Sequence, residues 1–174
     1  MQTSIAELSV VVPTFRERDN VAELVRRLDA CLTDAAWEVI FVDDDSSDGT
    51  ADRVRALARS DPRIRCLQRI GRRGLSSACV EGMLASPAPY LAVMDADLQH
   101  DESVLPRMLE VLKAGDADLV VGSRYVAGGG IGAWNADRAM MSRFATRLSR
   151  LVVKRDLSDP MSGFFALRRD VFEQ

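Results

Sequence analysis

The sequence predicts an α/β fold: a mostly parallel sheet covered on both faces by helices. Short continuous apolar runs, the pattern of strands buried on both sides, alternate with amphipathic stretches of helical period. Acidic turns follow two of those runs, at Asp43–Asp45 and Asp95–Asp97. A parallel sheet presents such turns at the carboxyl ends of its strands, where α/β folds bind ligands. The length of 174 residues suits one domain with a full core.

The elements follow in order. Leu8–Val12, apolar but for Ser9, predicts the first strand. The loop PTFRERDN comes next, with Asp19 or Asn20 placed to cap a helix. Val21, Leu24, Val25, Leu28 and Leu32 recur at helical spacing and give that helix one apolar face. Trp37–Val42 is a second strand, and the turn DDDSSDGT leads into a helix over 51–59. Arg63–Leu67 is a short third strand, followed by the loop RIGRRG and a helix over 75–85. Tyr90–Met94 is a fourth strand ending in DADLQ, and a helix over 103–113 is closed by Gly115. Leu119–Gly122 is a fifth strand. Beyond it the alternation gives way to the glycine-rich YVAGGGIGAWN, a helix over 137–155 and the segment DPMSGFFALRR.

Composition narrows the classes. Hydrophobic residues at 47% and charged residues at 28% are ordinary for a soluble globular chain. A net charge of -3 argues against a general nucleic-acid binder, so no nucleic-acid partner is expected. Cys31, Cys66 and Cys79 form no CxxC pair and read as reduced core thiols, which fits a cytoplasmic setting. One histidine and no ligand spacing argue against zinc. No secretory leader is visible at MQTSIAEL, and no uncharged apolar run is long enough to span a bilayer.

The acidic turns carry the chemistry. Asp95 and Asp97, two residues apart past an apolar strand, fall on one side of an extended chain and repel each other unless a cation or water intervenes. With the amide oxygen of Gln99 they suit a hard ion, Mg2+ or Mn2+, which takes its remaining ligands from water and substrate phosphate. The ordinary alternative is a strand-to-helix capping turn. In DDDSSDGT one carboxylate suits ribose hydroxyls or a base N–H, while Ser47 or Asp48 caps the next helix; a plain capping turn is as good a reading.

Other residues are ambiguous taken singly. Phe15 suits packing on a base and Glu17 hydrogen bonding to it, although both are ordinary loop residues. Arg124, after the fifth strand, suits a fork onto phosphate oxygens or a surface ion pair. Arg143, Arg147, Arg150 and Lys154 line one helical face beside Phe144, Leu148 and Leu151, a pattern for anionic headgroups or a solvated flank. His100 reads as a loop histidine near charged ligands rather than as a metal ligand or base.

Taken together, VVPTFRERDNV, FVDDDSSDGT, GLSSA, VMDADLQH, VGSRYVAGG and DPMSGFFALRR resemble, in order, the motifs of dolichol-phosphate mannosyltransferases. These belong to the inverting glycosyltransferase family 2, with the GT-A fold, a Rossmann-like three-layer α/β/α sandwich. The resemblance runs from about Leu8 to Arg169. It implies that Pro13, Phe15 and Glu17 embrace the nucleotide base, and that Val42 and Asp44 hold base and ribose. It further implies that Asp95, Ala96, Asp97 and Gln99 form the diphosphate and metal site, with Asp95, Asp97 and Gln99 as ligands of Mg2+ or Mn2+. Arg124 matches an arginine near the sugar and acceptor phosphate; Arg138 and Ser142 match positions associated with the lipid phosphate. Asp95, Asp97 and Arg124 are the residues expected to carry catalysis.

The implied reaction moves a sugar, mannose from GDP-mannose in the first instance, to a polyprenyl or dolichyl phosphate with inversion at the anomeric carbon. A UDP-glucose-dependent polyprenyl-phosphate glucosyltransferase is the second reading, and a nucleotide-sugar-binding domain with little turnover the third. A nucleotidyltransferase would open with a glycine-rich basic loop, and a dinucleotide-binding dehydrogenase with GxGxxG; neither is present. The implied partners are a nucleotide-sugar donor, a polyprenyl-phosphate acceptor, a peripheral contact at the cytoplasmic face of a membrane, and a second copy of the chain. Phe15 stands where tyrosine is usual, Arg16 where asparagine is common, and Ser47 where proline is frequent. The chain ends at Gln174, where family members continue, so residues 1–174 are expected to be one GT-A catalytic domain truncated at its C-terminus.

Overall fold

A computed structural model describes residues 5–122 and 163–174. The predicted helix over 137–155, the glycine-rich loop before it, the basic face of that helix, and Arg124, Arg138 and Ser142 lie outside the described residues.

Six strands form one sheet: β1 (Leu8–Thr14), β2 (Trp37–Asp43), β3 (Ile64–Gln68), β4 (Tyr90–Val93), β5 (Leu119–Val121) and β6 (Phe165–Arg168). Their order is β3-β2-β1-β4-β6-β5. β1 pairs in parallel with β2 and β4, and β2 with β3. β6 lies antiparallel between β4 and β5. The predicted parallel sheet is therefore present. It contains one strand the sequence reading lacked, built from the end of DPMSGFFALRR, and β6 separates the fifth strand from the fourth.

Helices α1 (Val21–Cys31), α2 (Thr50–Ala58) and α4 (Leu105–Ala114) cover one face, and α3 (Leu75–Leu84) the other. A four-residue helix, α5 (Arg169–Phe172), follows β6. Strand alternation divides β1 between the two cores: Leu8, Val10 and Val12 pack with Leu24, Leu28 and Leu112, while Val11 packs with Ala78, Cys79 and Met83. Both faces of the central strands are buried, which is why these strands read as continuous apolar runs.

Three boundaries differ from expectation for local reasons. The helix predicted from residue 103 begins with a 3-10 turn, Glu102–Val104, whose preceding residue Asp101 accepts from Ser103 N; the α-helix starts at Leu105, with Pro106 in its first turn. Asn20 stands at the N-cap of α1 without a side-chain cap bond, because its amide donates instead to Glu17 Oε2 at 2.7 Å. At α2 the N-cap is Gly49, with φ 89° and no side-chain cap bond, rather than the expected Ser47 or Asp48; Asp48 Oδ1 accepts from Thr50 N at 3.0 Å from the residue before it.

Candidate functional site

The site lies where the strand order reverses. From β1 the chain moves outward to β2 and β3, then returns to the other side of β1 as β4. β1 pairs with β2 along its whole length, Leu8 to Thr14, but with β4 only from Leu8 to Val11. Past Val11 the two strands part. Met94 N donates to Val11 O on that side, so Pro13, two residues on, turns its backbone the same way and its missing N–H costs no ladder bond. Pro13 thus marks the opening of a crevice between the carboxyl ends of β1 and β4.

Four loops meet there, and their backbones are tightly specified. Among the described residues, the non-glycine positions with positive φ are Arg16 (62°), Asp45 (56°) and Leu98 (61°), one in each loop after β1, β2 and β4. Such conformations cost roughly 1–3 kcal/mol each and cluster at functional sites. Side chains hold the loops together. Arg16 N donates to Ser46 Oγ at 2.9 Å, Glu17 N to Thr50 Oγ1 at 3.0 Å and Arg18 N to Asp48 Oδ2 at 3.3 Å.

The three adjacent aspartates divide their roles. Asp43 is fully buried and accepts from Ser46 N, Ser46 Oγ and Thr14 Oγ1, so it pins the turn to β1. Asp44 turns toward the β3–α3 loop: Oδ2 accepts from Gly74 N at 2.7 Å, and Oδ1 lies 3.1 Å from Arg69 Nη1. Asp45 accepts from Gly71 N at 3.2 Å. Hydrogen bonds therefore offset what gathering three carboxylates costs.

On the far side of the crevice, Asp95 Oδ2 meets His100 Nε2 at 3.2 Å, and the His100 ring packs 5.2 Å from that of Phe164. Asp97 Oδ1 accepts from Gln99 N at 3.1 Å. Across from them, burial raises the pKa of Glu17, its hydrogen bond from Asn20 opposes the rise, and the charges of Asp97, Asp95 and Asp48 add to it. Glu17 thus senses the DADLQ carboxylates, which brings the β1 and β4 loops into one electrostatic site. Among the described residues no group of three or more His, Cys, Asp or Glu side chains is arranged to enclose a metal ion. Two carboxylates with hard oxygens fit a cation that draws the rest of its shell from phosphate and water.

Toward the loop after β3, Phe15 is 39% exposed, with the Arg73 guanidinium 4.3 Å and the Arg16 guanidinium 5.3 Å from its ring centre. One part of the site therefore presents an aromatic surface among cations, and the DADLQ turn presents carboxylates. Val42 and Ala96 are buried, with Val42 packed in the α3-side core and Ala96 in the other. Only their backbones are left to face a ligand. Arg69, which the sequence reading passed over as part of a loop, is 2% exposed and lies at the centre of the β2 and β3 loop contacts.

Residues 9–174 match the sequence model of glycosyl transferase family 2. The chain is 40% identical over 169 residues to the dolichol-phosphate mannosyltransferase of Pyrococcus furiosus, covering 96% of this chain and 47% of that protein. It is 39% identical over 171 residues to the dolichol-phosphate mannosyltransferase of Saccharomyces cerevisiae, covering 96% of this chain and 62% of that one. The chain thus spans about half to three-fifths of the length of these curated relatives. Its fold resembles that of a mannosyltransferase from Pyrobaculum calidifontis in complex with GDP-Man and Mn2+, with a TM-score of 0.65 at 20% identity over 98% of this chain and 47% of that one. It also resembles glucosyl-3-phosphoglycerate synthase from Mycobacterium tuberculosis, in complex with Mn2+, UDP-glucose and phosphoglyceric acid. That match has a TM-score of 0.64 at 20% identity, over 95% of this chain and 57% of the other. These likenesses establish the expected GT-A fold.

Proposed function

The chain belongs to glycosyl transferase family 2, and from that premise we propose that it forms the donor-binding part of a dolichol-phosphate mannosyltransferase that moves mannose from GDP-mannose to a polyprenyl phosphate. The observation that carries the reading is the polarity of the crevice. An aromatic ring flanked by guanidiniums lies toward the loop after β3, and the Asp95 and Asp97 carboxylates, close enough to perturb Glu17, follow β4 on the other side of β1. A nucleoside diphosphate sugar has that same order of parts: a flat base, a ribose, and a diphosphate that needs a counter-ion. The relatives are named dolichol-phosphate mannosyltransferases, which supports the mannosyl donor and dolichyl phosphate over other pairs.

Each residue then has a task. Phe15 offers a stacking face for the base, with Pro13 and Glu17 shaping the loop around it. Asp44 and the Val42 backbone hold base and ribose. Asp95, Asp97 and Gln99, with the Ala96 backbone, offer hard oxygens for Mg2+ or Mn2+, which supplies neutralising charge for the leaving diphosphate. Arg124 and Arg138, with Ser142, draw in the acceptor phosphate. A phosphate oxygen attacks the anomeric carbon as the bond to the diphosphate breaks on the opposite face, so the configuration inverts. A phosphate monoester is already anionic near neutral pH, so the site needs placement and charge compensation more than a strong base. The acceptor places the reaction at a membrane surface, its cytoplasmic face under this reading. Among the described residues no helix is long and apolar enough to cross a bilayer.

The test is transfer by the full-length protein of labelled mannose from GDP-mannose to a polyprenyl phosphate, with the anomeric configuration of the product read by NMR. A β-linked product supports the proposal. Transfer of glucose from UDP-glucose in place of mannose moves the function to the second reading, and donor binding without transfer to any prenyl phosphate refutes the acceptor assignment.

A further inference from the structure

We infer that Arg69 is a positioning residue of the donor site, setting the carboxylate of Asp44 for the nucleoside without touching the ligand itself. The inference rests on the reading of Asp44 as a nucleoside contact. Arg69 follows β3 directly, and the β2–β3 register, Asp43 opposite Gln68, brings Arg69 beside Asp44. Its backbone N–H donates to Asp43 O at 2.8 Å, which continues the ladder by one step.

The guanidinium spreads over four partners. Nη1 donates to the Gly74 carbonyl at 3.0 Å, and Nη2 to Ser77 Oγ at 2.6 Å. Nη1 also lies 3.1 Å from Asp44 Oδ1, and Nε lies 3.5 Å from Glu81 Oε1. Glu81 is itself held by Arg72 through two contacts of 2.9 Å. Gly74 closes the loop by donating its N–H to Asp44 Oδ2 at 2.7 Å. One planar cation thus ties the β2–α2 loop to the β3–α3 loop and to the first turn of α3.

Two features separate this from plain packing. A buried charge costs more than an apolar side chain of the same volume, and buried ion pairs gain little net stability over such a replacement. Stability alone therefore does not account for an arginine at 2% exposure beside an aspartate at 7%. Further, Asp44 Oδ1 is buried without a hydrogen bond, because the Arg69 contact is close in charge but not aligned as a bond. The atom is fixed and electrostatically compensated beneath the surface, so Arg69 sets the orientation of the Asp44 carboxylate from below. Lysine in place of Arg69 keeps the charge but cannot reach Gly74, Ser77 and Asp44 as one rigid fork.

The experiment is a titration of the full-length protein and its Arg69→Lys, Asp44→Asn and doubly substituted forms with two probes. One is a nucleoside monophosphate, GMP or UMP, whichever binds the unsubstituted protein more tightly. The other is pyrophosphate with Mn2+, which has no base or ribose. Arg69→Lys is expected to weaken the nucleoside monophosphate by about tenfold, the scale of one hydrogen bond to a charged group, and to leave pyrophosphate unchanged. The double substitution is expected to lose no more than Asp44→Asn alone. Ser77→Ala, which removes an anchor on an exposed residue, shows the same selective loss in weaker form and serves where Arg69→Lys does not fold. Equal losses for both probes, additive losses in the double form, or no loss overturn the inference. If neither GMP nor UMP binds the unsubstituted protein, the donor-site reading falls and takes the inference with it.

Discussion

Gly82 sets how closely α3 approaches the two strands that end in the donor site. A β-carbon at this position would lie 2.4 Å from Val11 Cγ1 and 2.8 Å from Val42 Cγ2, against ordinary carbon contacts of about 3.5–4.0 Å. Both valines are fully buried and β-branched, so neither side chain can swing aside without leaving its preferred rotamer. Gly82→Ala therefore pushes the helix off the sheet, an overpacking cost of roughly 2–3 kcal/mol, the upper part of the usual range because both contacts fall below 3.0 Å. Against it stands the gain of about 1 kcal/mol from replacing a helical glycine. The net is a loss of about 1–2 kcal/mol, or about 2–8 °C in melting temperature for a domain of this size. Thermal denaturation followed by circular dichroism measures it. Adding Val11→Ala removes the closer contact, and the two changes together should cost less than the sum of their separate costs. A Gly82→Ala protein that melts at or above the parent temperature would refute the reasoning, since helix propensity alone demands that outcome.

Three further expectations follow from the same geometry. Phe15→Ala should weaken nucleotide binding by about 1–3 kcal/mol, the worth of one base stacked on an aromatic ring, with little change in melting temperature because the ring is partly exposed; calorimetric titration beside a melt checks both halves. Glu17 has a folded pKa raised above 4.5, so the folded state holds its proton more tightly, and the stability this contributes at low pH is lost as pH rises through the folded value. Glu17→Gln should therefore gain stability over the parent at neutral pH and not at pH 3, as read from melts across that range. The thiols should be inert in the native protein: burial, with the Asp95 charge adding to it, pushes Cys79 up to about 12, and burial, with that of Glu102, pushes Cys31 up to about 11. A disulfide exchange reagent at pH 8 should titrate Cys79 only after denaturation.

Much of this was legible because local and global signals agree. The strands are apolar on both faces, so β1 and β2 announce themselves without any knowledge of their neighbours. The acidic turns were placed at the carboxyl edge by their position after strands, and the structure puts them there. β6 was missed because FALR is four residues long and its place between β4 and β5 depends on pairing with residues far away in the chain. The division of labour among Asp43, Asp44 and Asp45 was equally invisible, since it is decided by Thr14, Gly74 and Gly71 from other segments. Arg69 gave no local sign of burial within RIGRRG, where four charged or flexible neighbours suggest solvent. The one available clue was position: it comes two residues after the predicted third strand, Arg63–Leu67, which the structure pairs with β2 up to Asp43. Val42 and Ala96 were named as site residues by position, and the structure restricts them to backbone contact because their side chains fill the core.

Under the proposed function, the crevice between β1 and β4 binds a nucleotide sugar through a cation held by the DADLQ segment. The most direct test of this is calorimetric titration of GDP-mannose into the full-length protein, with and without Mn2+, repeated on Asp97→Ala. The account predicts binding that requires Mn2+ and is lost in the substituted protein while the fold, followed by its melt, is retained. Binding that is indifferent to both the metal and the substitution would contradict it.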